Sequence, residues 1–179
     1  MRIVILFLFL CGPAFSQACP DAPDISQQRD ALLGVLSQTG SPTEAQPVAS
    51  ELWLLWRTAP DAQAQDLLDR GIARREAYDF EDSENILDEL IAYCPEYSEG
   101  YNQRAFTRFL RDKLDRALED LDKTLETEPN HFGALSGKAI IFMRMGRTKL
   151  GQSALRRALA VHPWLAERAM LMPDTSIEL

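Results

Sequence analysis

Histidine and cysteine are scarce in this chain, two of the first and three of the second in 179 residues. The arrangements that usually announce metal or nucleophile chemistry are missing with them: no CxxC, no HExxH, no GxSxG and no glycine-rich dinucleotide fingerprint. Basic side chains are also in deficit. Nineteen Lys and Arg face 27 Asp and Glu, a net charge of −8, which is the wrong sign for gripping nucleic-acid phosphates or an anionic lipid surface. The apolar run Ile3–Cys11 is well short of the ~20 residues a membrane-spanning helix requires.

Three fragments come near to chemistry and fall short. GALSGKA (Gly133–Ala139) hints at a phosphate loop, but it has one residue too few between its glycines. Ala139 also stands where Ser or Thr would hold magnesium. His131 and His162 are 31 residues apart with no coordinating partner at ligand spacing, and read as plain polar residues of turns. DFEDSE (Asp79–Glu84) has the composition of a calcium loop without its Gly or its alternation, and reads as a solvated turn. The expectation is a protein that is not an enzyme, with no catalytic residue, cofactor or metal.

What is present begins with a leader. MRIVILFLFLCGPAFSQA puts Arg2 before the apolar run, then a Gly-Pro break and small residues, the layout of a secretory signal peptide (1–18) cut after Ala18. The mature part would be exported to the periplasm, with 18 basic and 27 acidic side chains and length enough to bury one core. No membrane insertion is expected after cleavage. Two cysteines survive it, Cys19 and Cys94, and an even count in an exported chain suggests a disulfide. It would close a loop worth roughly 3–5 kcal/mol in the chain-entropy model. A second reading stays open, a lipoprotein acylated at Cys19, although Ser16 stands where a lipobox usually has Leu.

The rest of the chain repeats itself. Aligned on Pro95, Pro129 and Pro163, residues 64–97, 98–131 and 132–165 form three gapless blocks of 34. Twenty-four residues before each Pro is a small residue (Gly71, Ala105, Ala139), and twelve before it is another (Ser83, Ala117, Gly151). Eight before it is Leu87, Leu121 or Leu155. Small residues belong where two helices cross closely. The Leu positions continue an apolar stripe at helical spacing, as in Leu114, Leu118, Leu121 and Leu125. Pro then ends the second helix. Each block is therefore a helical hairpin, turning at Arg111-Asp112 in the second block and at Gly146 in the third. Gly151, mid-helix, is expected to cost about 0.5–1 kcal/mol relative to Ala.

Ahead of the repeats, residues 19–63 carry two further helical patterns. DISQQRDALLGVLSQT opens on a cap (Asp24, Gln27). SPTEAQPVASELWLLWRTA has a cap-like Ser41 and Glu44, but Pro47 moves the expected helix start to near Gln46. The pair reads as a degenerate hairpin stacked before the first repeat, with Trp53 and Trp56 as core. Residues 166–179 read as a short capping helix and tail. Pro173 replaces the small crossing residue, so no fourth hairpin forms.

YNQRAFTRFLRDKLDRALEDLDKTLETEPN and ALSGKAIIFMRMGRTKLGQSALRRALAVHP resemble the tetratricopeptide repeat family through this small–small–aliphatic–Pro skeleton, and ARREAYDFEDSENILDELIAYCP keeps the register. The resemblance implies an all-α fold, an α-solenoid of stacked antiparallel hairpins whose first helices line a concave groove. On that projection the groove holds Leu68, Ile72 and Arg75, then Asn102, Phe106 and Phe109, then Ser136, Ile140, Met143 and Arg144. The family's carboxylate-gripping positions fall on Leu68, Ile72, Gly133 and Gly137, so that clamp is missing. The implied function is a protein-binding adaptor or scaffold taking a peptide or helix with apolar anchors, and no nucleic acid. The alternative is a homo-oligomer formed through the Met-rich C-terminal end, Met170–Met172.

Overall fold

The computed structural model describes residues 18–173. The leader reading, apart from Ala18, and the last six residues lie outside the described residues. Within them the chain is all helix. Three antiparallel hairpins follow the 34-residue blocks: α3 (Ala62–Glu76) with α4 (Phe80–Tyr93), α5 (Ser98–Leu110) with α6 (Leu114–Thr127), and α7 (Phe132–Arg144) with α8 (Thr148–Val161). Each packs on the next, α4 on α5 and α6 on α7.

The repeat positions explain the packing. Leu87, Leu121 and Leu155 are buried, as are Leu90, Thr124 and Ala158 five residues before each Pro. At the crossings the helices come within the reach of one small side chain. Ser83 donates to the Gly71 carbonyl at 2.8 Å, and a Cβ on Gly71 would stand 2.7 Å from Leu87 Cγ. Gly151 is placed differently from its expectation. A methyl there would sit 2.9 Å from the Ala139 carbonyl oxygen and 2.5 Å from Met143 Cγ. Ala would force α7 and α8 apart, so glycine's intrinsic helix cost is outweighed by the close crossing.

The turns inside the hairpins share one geometry. Tyr78, Asp112 and Gly146, each 34 residues apart, are the left-handed residues, with φ of 62°, 60° and 73°. The next N–H reaches back to a carbonyl five residues earlier (Asp79 to Arg74, Lys113 to Arg108, Arg147 to Phe142, 2.8–2.9 Å). This closes the last turn of the helix and satisfies carbonyls that would otherwise lack partners. Two of the first helices are also capped by side chains at their starts: Asp61 Oδ1 accepts from Ala64 N–H at 2.8 Å in α3, and His131 Nδ1 from Ala134 N–H at 3.1 Å in α7.

Before the repeats come α1 (Ser26–Ser37) and α2 (Pro42–Trp56). Helix α2 starts at Pro42, not near Gln46. Ser41 Oγ accepts from Glu44 N–H and the Glu44 carboxylate accepts from Gly40 N–H at 2.9 Å, so a reciprocal cap fixes the first turn and Pro47 is carried inside the helix. The larger correction concerns where this hairpin goes. It does not stack before α3 as another repeat. It folds back along the line of junctions between repeats and ends against the last one. The reason is its double apolar load: α2 carries Leu52 and Trp56 on one side and Trp53 and Leu54 on others, too broad a face for a single neighbour.

The path of this arm can be followed junction by junction. At the first, Cys19 and Cys94 stand at bonding distance with Cα atoms 5.2 Å apart. There Tyr97 Oη also donates to the Trp56 carbonyl at 2.8 Å, and Tyr93 Oη to Asp61 at 2.6 Å. At the second, the Glu128 carboxylate accepts from Arg29 at 2.9 Å and from Trp56 Nε1 at 3.2 Å. The Trp56 ring stacks on His131, centroids 3.9 Å apart, and meets Phe132 edge-on. At the third, Trp164 Nε1 donates to the Thr39 carbonyl at 2.9 Å, and Val161, Trp164 and Leu165 pack under Leu33, Leu36 and Leu52. The last repeat is thus covered by α1 and this aromatic corner. Beyond it, among the described residues, stands a 3-10 turn, Ala166–Met170, in place of the expected capping helix.

Candidate functional site: the concave cavity

Helices α3, α5 and α7 line the inner face of the array, and α2 stands across it. Between them is a half-open cavity of about 650 Å³. Its apolar walls are Trp53 and Leu54 from the arm, Ile72 from α3, Phe106 and Phe109 from α5, and Ile140 from α7; Gly133 and Gly137 form a flat floor.

Of the ten residues expected on the concave side, Ile72, Arg75, Asn102, Phe106, Phe109, Ser136 and Ile140 meet in this cavity. The other three do not. Leu68 is fully buried among Leu67, Leu87 and Leu90 in the core of the first hairpin. Met143 packs at the α7–α8 crossing against Leu155 and Leu159. Arg144 pairs with Asp112 at 2.9 Å and lies over the Phe109 ring at 5.2 Å. In each case the helical projection has the right side of the helix and misses a neighbour that takes the side chain.

Behind the cavity is a closed polar cluster. Glu99 and His131 are both fully buried. The Glu99 carboxylate accepts from His131 Nε2 at 3.0 Å, from Asn102 Nδ2 at 3.1 Å and from Gln103 Nε2. His131 Nδ1 is already accepting from Ala134, so the ring is neutral with its proton on Nε2. A buried carboxylate with three donors is well compensated. His131 is therefore an architectural residue, cap to α7 and platform for Trp56, where its sequence position suggests only a polar turn. Residues Arg104 and Arg108, with Asp88, Asp120 and Glu84, bind α4, α5 and α6 together from the other side. Burial would push the Glu84 carboxyl up, but hydrogen bonds and charge from Lys113 and Arg108 outweigh it and hold it below the usual carboxylate range.

These polar groups face one another, and the cavity they support is walled by hydrocarbon. Its chemistry is that of binding, through shape and apolar contact with a few polar fixtures at the edge. Among the described residues no group of three His, Cys, Asp or Glu is placed to hold a metal ion, and no helix is long and apolar enough to cross a membrane. The site residues least legible in the sequence are Trp53, Leu54 and Arg57, because the arm supplies them from outside the repeat register. The all-round apolarity of ELWLLW is the one signal that α2 is covered on more than one face.

No protein-family model matches the chain. Among solved structures, the fold is similar to crystal structures of MamA. One superposes with a TM-score of 0.53 at 19% identity over 79% of this chain and 75% of that one. Another has a TM-score of 0.52 at 20% identity over 73% and 76%. At that identity the likeness concerns the fold. A TPR repeat-containing protein of Rhizobium etli is 34% identical over 143 residues, 76% of this chain and 67% of the relative. The repeat skeleton, the stacked hairpins and this relative agree: the chain belongs to the tetratricopeptide repeat-containing proteins.

Proposed function

We propose that this protein is a non-enzymatic adaptor or scaffold of the bacterial periplasm that binds a segment of another protein in the cavity between α2 and the concave face. Family membership supports protein binding in general. The observation that carries the finer reading is the cavity itself, with Phe106 half exposed in its wall. An exposed aromatic cluster of this kind usually marks a site awaiting a partner.

The cavity is half open and walled largely by apolar side chains, which suits a peptide or helix with one or two apolar anchors. The periplasmic setting is supported by the leader and by the pairing of Cys19 with Cys94, which an oxidising compartment would maintain and which leaves no free Cys19 thiol to acylate. A thiol reagent should label neither cysteine in protein recovered from the periplasm until a reductant is added.

For the site, Phe106→Ala with Phe109→Ala should abolish recovery of partners from a periplasmic extract while the helical circular dichroism stays unchanged. Unchanged recovery would sink the groove. Self-association through the C-terminal end is a second reading, favoured by the exposure of Met170, Leu171 and Met172. Sedimentation at two concentrations separates it, since a strict monomer removes it.

A further inference from the structure

The other partly buried arginines among the described residues are paired with acids. Arg29 reaches Glu128, Arg104 reaches Asp88 and Asp120, Arg108 reaches Glu84 and Asp120, and Arg111 reaches Glu84. Arg75 breaks the pattern. It stands in the last turn of α3, half buried, with its guanidinium 4.6 Å above the Phe106 ring. Its short hydrogen bond goes to a neutral group, Gln103 Oε1 at 2.7 Å. Among the described residues no carboxylate lies within ion-pair distance of it. Glu99 sits behind Gln103 with its oxygens already taken by His131, Asn102 and Gln103, and Glu76 and Glu167 stand at the cavity edge. Burial pushes the Arg75 guanidinium below its usual range, against the pull of Glu76 and Glu99 and with the push of Arg57.

A half-buried cation without a contacting anion is costly unless something supplies one. Arg57, on the arm, lines the same cavity and adds a second positive charge to it. The two charges border a floor and walls of hydrocarbon. That combination complements one chemistry, a carboxylate placed directly beside an apolar or aromatic group.

Building on the reading of this cavity as the partner site, we propose that Arg75, seconded by Arg57, selects a peptide segment in which an acidic side chain neighbours an apolar anchor. The apolar side chain enters against Phe106 and Ile140. The carboxylate takes the free edge of the Arg75 guanidinium, replacing water with a charge-assisted hydrogen bond.

The test uses the full oxidised chain and two dyes of one ring system, 8-anilinonaphthalene-1-sulfonate and uncharged N-phenyl-1-naphthylamine. The anionic dye should bind about tenfold more tightly, the least expected of one hydrogen bond to a charged group. Arg75→Gln should remove that preference and leave the neutral dye held, while Arg75→Lys retains part of it. The peptide Ac-Ala-Phe-Glu-Phe-Ala-NH2 should displace the anionic dye at about tenfold lower concentration than its Gln counterpart, and equally in Arg75→Gln. Equal affinity for the two dyes, or a preference that survives Arg75→Gln, overturns the charge-reading role. Selective dye binding that neither peptide displaces overturns the peptide and makes the occupant a small anionic amphiphile. If neither dye is held, or Phe106→Ala leaves both unchanged, the cavity reading beneath this proposal fails instead.

Discussion

The arm and the repeats bury their side chains by opposite rules. In the repeats the framework recurs: a small residue at the crossing, a Leu eight before the Pro, a left-handed residue in the turn, each 34 positions from its copy. The arm makes contacts that occur once. It meets equivalent positions of successive junctions, and each answers differently. Cys94 and Glu128 occupy the same place in their blocks, yet one faces a cysteine and the other faces Arg29 and Trp56. Tyr97, His131 and Leu165 share another place. They respectively donate a hydrogen bond to the arm's backbone, stack under its Trp and pack against its Leu residues. Repetition builds the array, and departures from repetition at the junctions build the seat for the arm.

Breaking the arm's central contact should give the largest effect. Trp56→Ala removes a buried ring from His131 and Phe132 and one of the two donors to Glu128, at about 3–5 kcal/mol, read from urea unfolding. A loss under 1 kcal/mol would mean that the arm contributes little to the fold. Replacing Cys19 and Cys94 together by Ser should cost about 3–5 kcal/mol for a loop of this length, with the repeat helices still formed by circular dichroism. Gly133→Ala sharpens the comparison further, because its Cβ would stand 2.4 Å from the Trp53 ring. A cost of about 1–3 kcal/mol is expected, and the change should vanish in a Trp53→Ala background.

On the repeat side, Tyr78→Gly should stabilise by about 0.5–1 kcal/mol, since glycine takes the left-handed turn without strain. The gain should be the same with or without the arm's disulfide. The smallest effect belongs to His162, at the last junction beside Phe132. Burial holds its pKa below 6.5 ahead of the opposing pull of Glu167, so the unfolded chain takes up the proton first. The stability from its neutral form is present above pH 6.5 and is lost as pH falls through the lower folded value. His162→Asn should therefore lessen the loss of stability between pH 7 and 5, measured as the difference between the two proteins' unfolding curves.

The contrast also decides how much the sequence discloses. The fold of α3–α8 is legible because each position is written three times, and a pattern such as Gly71, Ala105, Ala139 survives any one substitution. Most of the cavity follows, for the same register places Ile72, Phe106 and Ile140 on the inner face. What the register cannot reach is anything that depends on a residue outside it. Helix α2 covers Gly133 with Trp53, and no helical projection of the repeats contains that ring. Arg144 is diverted by Asp112, and His131 is enclosed by Trp56 and Glu99; both depend on a partner rather than on periodicity. Pro47 misplaces the helix start because local propensity weighs a missing N–H, while the Ser41–Glu44 cap settles the turn before the chain reaches it.

The arm's reach also has an arithmetic consequence. Its two helices span from the junction at Cys94 to the junction at Trp164, so the hairpin's length is matched to three repeats and no other number. A duplicated or deleted block would leave the hairpin too short or too long, with its aromatic corner facing the wrong junction. Growth of the array by adding copies, the ordinary route for such proteins, is closed to this one unless the arm lengthens in step. The hairpin acts as a ruler, and the span of the repeats is matched by residues 19–56 as much as by the repeats themselves.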